Sequence, residues 1–294
     1  MLTLRAVQPA PAASAIDGLR WIARAAVLSL HDELALEAKP GLVTLTSNGS
    51  HDDMDAATFL RSIASLRAYF DAIAQLGAAH APFAALEALG IEAEGQMLRA
   101  TGGINTHRGA IFLLVLICAS AGALLADGRR CSAAAIRTTL ESLWGDALRR
   151  RLARHSTSNG ARAVRRFGVC GAAAEAALGF PTLFEQTLPA LRSAQARGLD
   201  HRAARLQALF AAMADLDDTT LIHRGGLAGL RFAQAQAREY LAAGGAARAD
   251  AWQHARELDR RFTARRLSPG GSADLLAAAC LLDRLEAAPA TVHA

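Results

Sequence analysis

The sequence is short of lysine, of aromatic residues and of paired cysteines, and each shortage removes a class of explanation. Lys39 is the single lysine among 32 basic residues, so arginine carries positive charge everywhere else. The two cations differ in hydration and hydrogen-bonding geometry, which marks the one lysine as a candidate functional residue. Aromatic residues make up 5% of the chain against 52% apolar residues overall, and alanine and leucine dominate the apolar share. That balance favours helices over sheets. Cys118, Cys131, Cys170 and Cys280 are far apart, without the spacing of a zinc site or a redox pair, and read as buried small hydrophobes in a reducing compartment.

Charge of one sign is not concentrated. Lys and Arg exceed Asp and Glu by 32 to 27, but no basic block of five or six occurs, which argues against a nucleic-acid partner. A mild positive field still suits a polyanionic small molecule. The start of the chain lacks a signal-peptide plan, since Arg5 is followed by Pro9 and Pro11, and the expected location is the cytoplasm. One long uncharged run exists, Ala110 to Ala126. Its 17 residues are short for a membrane span, and it is expected to be a central helix buried on all sides.

What is present is helical periodicity. Residues 1–14 read as a loose Pro/Ala arm, and 15–294 as a single all-α domain with a buried central helix. Helices are expected at 16–38, 54–76, 86–101, 107–126, 131–153, 161–177, 182–197, 201–214, 225–243, 248–263 and 272–287, with a turn at 155–160. No run alternates with period two long enough to make a strand.

Chemistry-bearing residues gather between these helices in four clusters. The first is Glu37-Ala-Lys39-Pro-Gly41, followed by Asn48-Gly-Ser-His51-Asp52-Asp53-Met-Asp55. Asp52 and Asp55 are three apart, so on a helix they share a face and converge on a hard cation, with Glu37 or His51 near; Mg2+ with phosphate ligands is the natural occupant. The alternative is a helix cap. The second is Thr101-Gly102-Gly103-Ile-Asn105-Thr106-His107-Arg108-Gly109, a glycine-rich loop feeding a helix N-terminus, which presents N–H groups to an anion. It lacks the spacing of a P-loop and follows no strand.

The third cluster is Asp215-Leu-Asp217-Asp218, continuing to His223-Arg224-Gly225-Gly226. The fourth, Ser268-Pro-Gly270-Gly271-Ser272-Ala-Asp274, can wrap a phosphate, while Ser272 caps the last helix. Two acidic sites and three glycine-rich anion sites suit a triphosphate.

Across these residues, from Glu37 to about Leu276, the chain closely resembles the triphosphoribosyl-dephospho-CoA synthase family. The matching pieces are EAKPGLV, NGSHDDMD, TFLRS, TGGINTHRGAIF, RFGVCGAAAEAALGFP, DDTTLIHRGG and SPGGSADLLA. The resemblance implies ATP and 3′-dephospho-CoA as substrates, adenine as leaving group, and a product destined for the acyl carrier subunit of malonate decarboxylase, or of citrate lyase, through a separate transferase. It departs from the family pattern at Arg108, where lysine is usual, and at Ala173, where arginine is usual beside Glu175.

On that resemblance, Asp52, Asp55, Asp217 or Asp218 would serve as base or metal ligand, with Glu37 completing the metal set, and His107 or His51 would move the proton. Lys39, Arg108, Arg224 and the glycine-rich turns, with Thr101, Asn105, Thr106, Ser268 and Ser272, would hold the triphosphate. Oligomerisation is left open, a homodimer included. Two other readings compete: a helical prenyltransferase-like enzyme holding Mg2+ and diphosphate, and a non-catalytic nucleotide or CoA sensor.

Overall fold

The computed structural model describes residues 13–153 and 159–288. Residues 1–12 of the expected N-terminal arm and most of the expected 155–160 turn lie outside the described residues, while residues 13 and 14 of that arm already belong to the first helix. Helices α1 (Ala13–Ala35), α2 (Ala56–Ser65), α3 (Arg67–Ala78), α4 (Phe83–Ala100) and α5 (Arg108–Ala126) form the first half. The second half comprises α6 (Ala133–Leu152), α7 (Asn159–Phe167), α8 (Ala172–Ala177), α9 (Leu188–Ala196), α10 (His201–Asp215), α11 (Thr219–Ala242), α12 (Ala251–Ala264) and α13 (Gly270–Glu286). A π-helical turn at Thr182–Thr187 leads into α9, a 3-10 turn at Gly245–Ala247 follows α11, and no strand occurs among the described residues.

The uncharged run forms the axis of the fold. α5 packs against α1, α3, α6 and α13, and Leu114, Leu116, Ile117, Cys118 and Leu124 have no exposed surface. Burying each such leucine or isoleucine stabilises the fold by about 1.5–3 kcal/mol. Glycine sets the closest crossing. A Cβ on Gly77 of α3 would strike Ala119 O, and one on Gly122 of α5 would strike Ala74 O, so the two helices approach backbone to backbone. The whole of α5, two residues longer than the uncharged run, is long and apolar enough to cross a membrane, but 78% of its 18-residue apolar stretch is buried within the protein.

Three of the four cysteines are the buried small hydrophobes expected, while Cys170 is only half-buried. Cys118, Cys131 and Cys280 are buried, and burial pushes the Cys131 and Cys280 thiols up to about 12.

Three expected helices are broken. The 54–76 helix divides at Leu66, which ends α2 and caps α3, and it begins only at Ala56. The 161–177 helix is interrupted at Gly168, whose φ of 67° is left-handed. The 225–243 helix begins earlier, at Thr219, because Asp218 supplies an N-cap; it kinks at Gly226, whose φ of 62° and ψ of −166° suit glycine alone.

Candidate active site

The four clusters, brought together by contacts that span as many as 217 residues in sequence, meet at one end of the helical body. The Ser50 hydroxyl donates to Leu267 O at 2.5 Å, and His51 Nε2 lies 2.9 Å from Ser268 Oγ, joining the first cluster to the fourth. Arg224 donates to Ser50 O and, at 2.7 Å, to Arg266 O, which brings in the third. Asp218 of the third receives Ser272 of the fourth, and Asp274 of the fourth receives the Ala110 N–H beside the second. The N-termini of α5, α11 and α13 therefore share this end, and their unpaired N–H groups make it attractive to negative charge.

All three N-termini are already engaged by carboxyl groups of the protein. Asp218, 1% exposed, accepts from Thr220 N and Leu221 N through Oδ1, at 2.9 and 3.4 Å, and from Ser272 N and Ser272 Oγ through Oδ2, at 2.9 and 3.1 Å. These four donors fill the acceptor sites of a carboxylate. Gly271 permits the approach, because a Cβ there would sit 3.2 Å from the Asp218 carboxyl group. Gly270 sits against Thr220 in the same way. The SPGG turn thus wraps Asp218. Ser272 does not cap α13, whose N-cap is Pro269; its backbone and hydroxyl are turned onto Asp218 instead.

At α5 the internal carboxyl group is that of Asp274. A Cβ on Gly109 would collide with Asp274 Oδ2, so the carboxyl group lies directly on the glycine backbone. Burial raises the Asp274 carboxyl well above its usual range, Asp218 and Glu33 raise it further, and the Ala110 N–H opposes them.

The lone lysine is enclosed. Lys39 is 0% exposed and donates to Glu33 Oε1 at 2.5 Å and to Glu33 O at 2.6 Å. This corrects the expectation of a solvent-facing phosphate donor: a long cation in the core needs a carboxylate partner, and α1 supplies one. Burial lowers its pKa, against the pull of Glu33 and Glu37.

His107 is also buried, at 3% exposed. Its Nδ1 lies 2.6 Å from Ser62 Oγ, which accepts from Thr106 Oγ1 at 2.8 Å, while its Nε2 is buried without a hydrogen bond. Burial, then the charge of Lys39, lowers its pKa to about 3, so the ring is neutral at physiological pH. His51 is lowered too, by burial first and then by Arg224.

The remaining second-cluster residues shape the loop. Thr101 Oγ1 reaches Met97 O and Ile104 O at 2.9 and 2.6 Å, and the Gly103 N–H donates to Leu98 O, closing α4. Gly102 and Gly103 have φ of 70° and 90°, with open space around them. Asn105 Oδ1 accepts from Arg108 N at 3.2 Å, and the Arg108 guanidinium pairs with Glu94.

The expected acidic metal set does not assemble. Asp52 and Asp55 precede α2 and share no helix face, because Asp55 is its N-cap, accepting from Thr58 N at 2.8 Å and Thr58 Oγ1 at 2.7 Å. Those bonds hold the Asp55 carboxyl below its usual range. Glu37 accepts from Thr44 and Thr46, at 3.2 and 2.6 Å, and Asp218 is saturated within the protein. Asp217 accepts from Cys170 N at 2.9 Å. Among the described residues no group of three or more His, Cys, Asp or Glu side chains is placed to hold a metal ion. Asp52 remains available: its side chain is 83% exposed, and among the described residues it pairs with Arg266, at 3.1 Å.

Of the polar groups at this end, Glu33, Ser50, Ser62, Asp259 and Asp274 were not singled out from sequence as site residues. Asp259 accepts from Gly41 N at 2.8 Å and anchors the first cluster. Asp274, Ser50 and Ser62 carried a signal, their places in the SPGGSAD, NGSHDDMD and TFLRS segments; Glu33 and Asp259 carried none.

A helical body with N-termini, enclosed acids and exposed arginines at one end is suited to group transfer on a phosphorylated substrate, and the protein is a transferase by kinship as well. A profile of the ATP:dephospho-CoA triphosphoribosyl transferase family matches residues 19–291, and the chain belongs to that family. It is 41% identical over 269 residues to the 2-(5''-triphosphoribosyl)-3'-dephosphocoenzyme-A synthase of Klebsiella pneumoniae, covering 90% of this chain and 94% of the relative. Probable synthases of the same name from Pseudomonas paraeruginosa and Acinetobacter calcoaceticus are 43% and 39% identical, with 91% and 88% of each chain covered. No solved structure matches the chain. Membership in the triphosphoribosyl transferase family, in place of a prenyltransferase one, sets aside the prenyltransferase-like and sensor readings.

Proposed function

We propose that this chain transfers the 5-triphosphoribosyl group of ATP to the ribose 2′-hydroxyl of 3′-dephospho-CoA, releasing adenine, in the cytoplasm. The observation that carries the reading is the meeting of all four family-like clusters at one end of the fold.

The hydroxyl attacks the anomeric carbon of ATP as the bond to adenine breaks, while the triphosphate stays on the ribose. Arg224 and Arg266 stand beside the exposed Asp52 and the His51–Ser268 pair, and charge-assisted hydrogen bonds from these arginines would hold phosphate oxygens. Arg108 and the open Gly102-Gly103 turn extend that surface. Asp217 stands nearby, tied to the Cys170 backbone.

A resident Mg2+ does not fit carboxylates so dispersed and so engaged. Mg2+ carried in by the triphosphate needs only one or two of them, and Asp52 with its neighbours on the loop before α2 suits that role. Lys39, Glu33 and His107 act from beneath by fixing the loops and their electrostatics. We place the product on the pathway to the acyl carrier subunit of malonate decarboxylase on the arginine-rich composition of the chain.

The test is mass spectrometry of the product formed from ATP and 3′-dephospho-CoA. The expected mass is the sum of both substrates less adenine; a product lacking the triphosphate would refute the reading. Supplying the product and the separate transferase to apo carrier subunits of malonate decarboxylase and citrate lyase distinguishes the two destinations, the first being expected to load.

A further inference from the structure

At the convergence of the four clusters most polar groups are enclosed and already partnered. Glu33 is bound to Lys39, Asp218 to Ser272, and His107 to Ser62, and all six of these side chains are buried. Asp274 differs. It sits one turn past Gly270 and Gly271 on the same face of α13, and these three residues, together with Gly109 beneath the carboxyl group, keep part of their surface open. Asp274 is thus a part-exposed carboxyl group seated on the Gly109 backbone, while the neighbouring Asp218 carboxyl group against Gly271 is fully enclosed.

We propose that Asp274 is the proton donor to the departing adenine. The claim rests on the proposed ribosyl transfer and assigns that reaction its general acid. The bond between the 2′-oxygen of dephospho-CoA and the anomeric carbon forms as the bond from that carbon to adenine N9 breaks. The electron pair of the broken bond goes to the purine, Asp274 supplies a proton to it, and neutral adenine leaves. The proton given up by the 2′-hydroxyl passes to solvent, and Asp274 takes one back from solvent, so protons balance over the cycle.

The surroundings favour the protonated form of this acid. The ionisable groups acting on it are Asp218 at the start of α11 and Glu33 near the end of α1, both acidic; Lys39 is committed to Glu33, and His107 at the start of α5 is neutral. Two neighbouring carboxyls and burial outweigh the Ala110 N–H and favour the acid form.

The test compares Asp274→Asn with wild type on two donors, in the presence of dephospho-CoA: ATP, and 4-nitrophenyl β-ribofuranoside 5-triphosphate, whose leaving group needs no proton. The asparagine keeps a carbonyl for the Ala110 N–H, and circular dichroism checks the fold. Adenine release from ATP is expected to fall by about a hundredfold or more, the usual contribution of general acid catalysis, while nitrophenol release stays near wild type. The basic limb of the wild-type pH–rate profile for ATP should also disappear in the variant. Equal losses on both donors, or unchanged turnover of ATP, would overturn the assignment. Failure of the wild type itself to release adenine would refute the ribosyl-transfer reading, and the role of Asp274 with it.

Discussion

Acidification should unfold this protein through His107. The ring is 3% exposed, its pKa is lowered to about 3 by burial and by Lys39, and in the unfolded chain it returns to about 6.5. Between these values the unfolded state binds the proton and the folded state does not, so stability falls as pH is lowered. The contribution is complete above pH 6.5 and is lost progressively down to about 3. At pH 4.5 the loss is about 3 kcal/mol, from two pH units at about 1.4 kcal/mol each.

Asp274, Asp218, Glu175 and Asp259 act in the opposite direction, because their raised folded values favour proton uptake by the folded state. A wild-type curve alone therefore mixes both signs. The informative quantity is the difference between wild type and His107→Asn, measured by urea unfolding at pH 7.5 and 4.5. On going to pH 4.5 the wild type should lose about 3 kcal/mol more than the variant, whose amide does not titrate. Parallel losses in the two proteins would refute the buried neutral imidazole.

Other perturbations follow from the same geometry. Asp218→Ala strips four hydrogen bonds from the junction of α11 and α13 and should cost about 3–5 kcal/mol in urea unfolding, with loss of adenine release. Lys39→Met leaves Glu33 as an unpaired buried charge, with a similar cost of about 3–5 kcal/mol, and adding Glu33→Gln should restore part of the lost thermal stability. Gly109→Ala drives a methyl group into Asp274; an overpacking cost of about 1–3 kcal/mol is expected, together with a fall in turnover larger than any change in KM. Asp52→Asn touches only an exposed ion pair, so its circular dichroism and melting temperature should match wild type while adenine release is abolished.

The parts of the fold written in contiguous sequence were legible. The uncharged run at 110–126 declares a buried helix, and nothing in the structure contradicts it. The clusters were legible as places where backbone N–H groups await an anion. What sequence could not reveal was the anion itself. Asp218 reaches Ser272 across 54 residues, and Asp274 reaches α5 across a still longer gap, so the internal carboxyls that occupy two of these turns emerge only on folding. The break at Leu66 was hidden for a related reason. Both α2 and α3 keep apolar periodicity, and no glycine or proline marks the boundary. Asp55 illustrates a competition between two readings of one residue: a carboxylate just before a helix is both a cap and a metal ligand on paper, and the Thr58 N–H decides for the cap.

The most direct test of the account is chromatographic measurement of free adenine from the purified protein given ATP and 3′-dephospho-CoA. Adenine should appear in a one-to-one ratio with consumed dephospho-CoA, without ADP or AMP. Consumption of ATP that yields ADP, AMP or diphosphate in place of adenine would contradict it.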